Sequence, residues 1–101
     1  MNQSQDKQIV ALRLSGPYSN DFAKVFSKLL KKADTSCYKI SDYAYLDEAY
    51  LSRLRNGEKK NPSPQTLIKI SLAFAHLSPV ITINDIEKLF NSVGRTISPP
   101  Y

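Results

Sequence analysis

Five residues that carry hydrogen-bonding or charged groups, or leave room beside them, recur at helical spacing in the middle of the chain. Glu48, Ala49, Ser52, Arg53 and Asn56 fall at i, i+1, i+4, i+5 and i+8. On a helix whose inner side is anchored by Leu51 and Leu54, they share the outer face. An acceptor, a forked cation, a hydroxyl and an amide on one face suit recognition by hydrogen bonding. Lys59, Lys60 and Asn61 follow directly in a loop.

Bond-breaking chemistry has little material. The chain has one histidine and one cysteine, His76 and Cys37, which are too few for a zinc site unaided. Its glycines, Gly16, Gly57 and Gly94, are far apart, so no phosphate-cradling glycine loop exists. No enzyme, cofactor or metal is expected.

Charge points to a polyanion. The 101 residues carry a net charge of +5 with a pI near 9.4, and a basic excess favours nucleic acid or an anionic surface. Residues 22–69 hold ten basic and five acidic side chains, while the rest of the chain balances at four of each. The excess therefore sits in the central segment. A single cysteine suits a reducing compartment. The start "MNQSQDKQIV" lacks the apolar core of a signal peptide. The longest apolar-rich run, "LIKISLAFAHL", contains Lys69 and is too short to span a bilayer. A cytoplasmic protein with no membrane contact is expected.

The elements that would position the polar face read as helices. Residues 1–21 form an N-terminal arm, with 8–15 favoured as extended and Gly16-Pro17 as punctuation. Phe22, Val25, Phe26, Leu29, Leu30 and Ala33 define a first helix, with Ser19 or Asn20 as its cap. A short second helix covers about 36–44, capped by Thr35 or Ser36, with Ile40 and Ala44 inward. Asp47 caps a third, about 48–56, with Tyr50, Leu51 and Leu54 inward, and Gly57 stops it. Ser63-Pro64 opens a fourth that runs to about Ala75. That helix is apolar over more than half its girth, which predicts a central buried element. Thr82 and Asp85 resemble a capping box for a fifth helix, about 83–93, stopped by Gly94. Residues 78–101 add this helix and a tail. The fold class expected is all-α, a compact bundle of about five short helices with a helix-turn-helix at its centre.

The stretch "FSKLLKKADTSCYKISDYAYLDEAYLSRLRNGEKKNPSPQTLIKISLAFA" resembles the phage-repressor-like (Cro-type, lambda-repressor-like) helix-turn-helix domain. The likeness covers residues 22–77. Ile40-Ser41, Leu46-Asp47, Leu51-Ser52, Gly57, Pro62 and "PSPQTL" fall on its anchor positions without a gap. It implies sequence-specific binding of double-stranded DNA, with the third helix in the major groove, by a homodimeric transcriptional regulator. Its DNA-contacting positions fall on Cys37, Tyr38, Asp47, Glu48, Ala49, Ser52, Arg53, Asn56, Lys59, Lys60 and Asn61. Arg53 would take guanine and Glu48 would accept from cytosine. The two lysines and Asn61 would lie beside phosphates. The fifth helix and tail, or the arm, would supply the dimer surface, because the four-helix core does not need them.

Three positions depart from the pattern. Tyr45 stands where glycine is usual. Arg55 stands where an acid is usual, and the first-helix position expected to pair with it is Leu30. Cys37 stands where glutamine often donates to a phosphate. They motivate an alternative: a protein-interaction module on the same fold, or an antitoxin that binds both DNA and a toxin.

Overall fold

The computed structural model describes residues 18–94, with side chains from Phe22 onward. The expected extended segment at 8–15, the Gly16-Pro17 break and the tail after Gly94 lie outside the described residues. Five helices follow one another: α1 Tyr18–Ala33, α2 Cys37–Ala44, α3 Glu48–Asn56, α4 Pro64–Leu77 and α5 Ile83–Asn91. No strand occurs among the described residues. The all-α bundle expected from the sequence is the fold.

α2 to α5 each start where a side chain can serve free backbone N–H groups. Ser36 Oγ accepts from the Lys39 N–H at 3.2 Å, and Asp47 Oδ2 accepts from the Tyr50 N–H at 2.9 Å. Ser63 Oγ accepts from the Thr66 N–H, with Pro64 at the first helical position. Thr82 and Asp85 form the reciprocal capping box at α5. The start of α1 differs from the reading by pattern. Ser19 and Asn20 lie inside the helix, which begins at Tyr18. Periodicity marks the first inward position, Phe22, and backbone can be helical for a turn before it.

The first three helices end in the same way. Asp34, Tyr45 and Gly57 all have left-handed backbones, with φ of 54°, 56° and 85°. Beyond each, the next N–H reaches back five residues: Thr35 to Leu30 O, Leu46 to Ser41 O and Glu58 to Arg53 O. This pattern satisfies carbonyls that a helix end leaves free and reverses the chain within a few residues.

The core gathers on α1. Phe22 and Phe26 stack with ring centroids 5.5 Å apart, and Phe74 of α4 meets Phe26 edge-on at 6.0 Å. Leu51 and Leu54 from α3, Ile40 from α2, Leu67 and Ile70 from α4 and Leu89 from α5 complete it, all fully buried. α1 packs on α3 and α5, α2 on α3 and α4, and α4 on α5.

Two expectations are corrected here. α4 is not enclosed on all sides: Leu67, Ile70, Ala73 and Phe74 are buried, but Ile68 and Leu72 are 49% and 58% exposed and Ala75 is exposed too. α2 and α5 cover only one side of it, so its apolar girth exceeds its burial. α5 is not dispensable to the core. Leu89 is fully buried, and the Lys32 ammonium of α1 lies 2.6 Å from Asp85 Oδ2.

Asp85 Oδ2 also accepts from the Thr82 N–H at 2.9 Å. The Lys32 contact, then this backbone bond, hold the Asp85 carboxyl below its ordinary range. A carboxyl with a lowered folded-state pKa stabilises the fold above its unfolded value, and that contribution vanishes as pH falls through the folded value. Asp85→Ala should therefore cost about 1 kcal/mol at neutral pH, from the lost cap and ion pair. The gap to wild type should close in acid, as read by denaturant unfolding across pH.

Phe74→Ala removes the ring that closes the aromatic cluster. It should cost about 3–5 kcal/mol, measured as a shift in denaturant midpoint. A shift near zero would contradict the placement of Phe74 in the core.

Candidate nucleic-acid interface

The face formed by Glu48, Ala49, Arg53 and Asn56 is open because Leu51 and Leu54 fix the rotation of α3. Both leucines are fully buried against α1 and its neighbours, so the residues between them turn outward. Glu48, Ala49, Arg53 and Asn56 are exposed, and Ser52 is half-buried at the edge of the face. Asp47 is exposed, but its carboxylate is engaged in capping α3 through the Tyr50 N–H. Glu48 lies in the first turn, where a negative charge suits the helix dipole.

The loop after α3 is folded against that helix. The Arg53 carbonyl accepts from the N–H of Glu58 at 2.9 Å and from that of Lys59 at 3.1 Å. Gly57 permits this, since its φ of 85° lies in the left-handed region that side chains rarely adopt. Lys59, Lys60 and Asn61 are all exposed beyond the turn. Pro62 is buried and anchors the far end of the loop. The basic loop and the polar face of α3 thus come together at the end of one helix.

At the start of α2 the expected contacts divide. Tyr38 is 62% exposed, but Cys37 is only 3% exposed. Cys37, Ile40 and Ala44 fall at i, i+3 and i+7 on the inward side of α2, which turns the thiol into the protein. Cys37 is therefore withdrawn as a surface contact. Burial pushes its thiol pKa up, against the Arg55 guanidinium, which pulls it down. Arg55 Nη1 lies 3.8 Å from the Cys37 Sγ. That contact was not legible beforehand, because nothing in the spacing of residues 37 and 55 announces it. Leu30 and Arg55 line the same cleft at this corner, and no ion pair forms there.

Tyr45 takes the left-handed conformation in place of a glycine. It is also 91% exposed, so no packing offsets the strain. Among the described residues no group of His, Cys, Asp and Glu is placed to hold a metal, and no helix is long and apolar enough to cross a membrane.

Comparison with known proteins returns no family model, no curated protein and no solved structure that matches the chain.

The strain at Tyr45 is measurable. A left-handed non-glycine residue costs about 1–2 kcal/mol, while glycine's extra freedom in the unfolded chain returns roughly 0.5–1 kcal/mol. Tyr45→Gly should raise stability by about 0.5–1 kcal/mol, seen as a higher denaturant midpoint. A lower midpoint would mean that the ring makes a stabilising contact.

Proposed function

We propose that the protein binds double-stranded DNA sequence-specifically, as a phage-repressor-like transcriptional regulator working in the cytoplasm. In this reading α2 and α3 act as the helix-turn-helix and the outer face of α3 enters the major groove. The observation that carries the reading is the joint exposure of Glu48, Ala49, Arg53 and Asn56 on one helix beside Lys59 and Lys60. Buried leucines hold that helix rigidly, and a rigid element presents hydrogen-bonding groups at fixed spacing. Arg53 has the fork that matches guanine O6 and N7, and Glu48 can accept from cytosine N4. Ala49 leaves room for a base edge between them. Lys59, Lys60 and Asn61 face the phosphates and supply affinity without sequence preference. One nine-residue helix reads about half a site, so the protein works as a homodimer on a two-fold symmetric sequence.

A protein partner is the second reading. Tyr45 favours it, because a strained aromatic residue open to solvent gives the fold nothing in return.

Arg53→Ala and Lys60→Ala separate base reading from backbone gripping. Random-site selection on duplex DNA supplies the preferred sequence, and a scrambled duplex serves as reference. Arg53→Ala should weaken the preferred site by about 1–3 kcal/mol and relax preference at one base pair. Lys60→Ala should weaken both duplexes alike and reduce the log–log salt slope by about one. Equal weakening of both duplexes by Arg53→Ala would mean that α3 does not read bases through that side chain. Absence of duplex binding at low salt by the wild-type chain would remove the DNA reading and leave the protein partner.

A further inference from the structure

A cleft of about 630 Å³ opens where the end of α1, the start of α2 and the end of α3 meet. Its volume suits a small organic ligand rather than a single ion. Leu30 and Cys37, both buried, contribute its apolar part. Lys31 and Arg55 bring two cations to its lining, and Asp34 brings the opposing carboxylate.

Three groups at this cleft have unused hydrogen-bonding capacity. Thr35 lines it, and Thr35 Oγ1 is the one buried side-chain oxygen or nitrogen without a partner among the described residues. An unpaired buried hydroxyl is costly, and native folds rarely keep one without reason. Arg55 is the second group. Its guanidinium reaches only the Cys37 Sγ and, at 3.5 Å, Asn56 Oδ1, with no carboxylate in ion-pair range among the described residues. Most of its five donors remain free. The start of α2 is the third. Ser36 Oγ takes the Lys39 N–H, which leaves the N–H groups of Cys37 and Tyr38 without a partner among the described residues. The first turn of α2 carries no acid, so its positive end is uncompensated.

We propose that this cleft binds a phosphate monoester with a small apolar body. The phosphate is held by Arg55, the backbone N–H groups that open α2, and the Thr35 hydroxyl. The body lies over Leu30 and Cys37. A forked guanidinium and a helix start are both suited to phosphate oxygens. Lys31 and Arg55 face Asp34 in the lining and Glu48 acts on the Cys37 thiol from close by, so the attraction for phosphate oxygens rests on the forked guanidinium and the helix end. The inference does not depend on DNA binding, since it concerns a free ligand in a cleft lined by the buried Cys37 and not the outer face of α3.

Phenyl phosphate is the probe, titrated into the full, nitrogen-15-labelled chain in a buffer free of phosphate. Saturable shifts should appear in the amides of residues 35–38 and in the Arg55 side-chain N–H. Arg55→Gln should weaken binding at least tenfold, and Lys69→Gln on α4 should leave it unchanged. Thr35→Val distinguishes a ligand group from a structural one. It removes an unpaired hydroxyl, so it should not lower the denaturant midpoint, yet it should weaken phenyl phosphate several-fold. A lower midpoint with unchanged affinity would overturn the role given to Thr35, and shifts scattered over the basic surface would overturn the site itself. Diethyl phosphate, a diester with the single charge of a nucleic-acid backbone, should bind more weakly. Equal or tighter binding of the diester would overturn the monoester assignment and give the cleft to the backbone of a nucleic acid.

Discussion

Three left-handed residues in a span of two dozen set the course of the chain. Asp34, Tyr45 and Gly57 end α1, α2 and α3, and each lets the following N–H close a carbonyl left open by the helix. α2 and α3 have eight and nine residues, too few to be stable in water alone. Their ends make up much of their length, so how they stop decides where they point. A tight reversal after each helix brings Ile40, Leu51 and Leu54 back to the phenylalanines of α1. The core, and the rotation that leaves Arg53 outside, both depend on these reversals. Glycine meets the demand at one of the three. Aspartate tolerates it comparatively well at another. Tyrosine meets it at the third against its own preference.

Much of this was legible in the sequence because it is local. Asp47, Ser63 and the Thr82–Asp85 pair announce helix starts through side chains a few residues from the groups they serve, and at α2 the sequence narrows the cap to Thr35 or Ser36, of which Ser36 is the one that caps. Gly57 announces a stop for the same reason. The inward leucines of α3 follow from helical spacing, and the exposure of Glu48, Ala49, Arg53 and Asn56 follows from them. The candidate face was therefore readable without knowing what packs where. The misreadings are tertiary. Helical spacing shows that α4 is apolar over more than half its girth, but it does not say that only one side finds neighbours. It shows an apolar face on α5, but not that Leu89 reaches the core. Cys37 was assigned by position in a motif, although its spacing from Ile40 and Ala44 already put it on the inward side.

Charge has a division of labour in this fold. Among the described residues a single ion pair, Lys32 with Asp85, joins two helices, and it is backed by the backbone N–H of Thr82. The central lysines and arginines form no other ion pair there. Unpaired surface cations add little to stability, so among the described residues the positive charge of 22–69 does little to join the helices. Arg55 is a special case, because it is steered by a soft sulfur instead of a carboxylate and keeps its charge unneutralised beside a cleft.

The contact between α1 and α5 also bears on how the chain acquires its structure. The pairing of α2 with α3 can form from neighbouring sequence, whereas Lys32 and Asp85 are 53 residues apart. Closing a loop of that length costs chain entropy before any contact offsets it. On a ribosome, where the beginning of a chain emerges first, α1 must wait with its α5-facing side uncovered until Leu89 has been made. Removing the last helix uncovers part of the first.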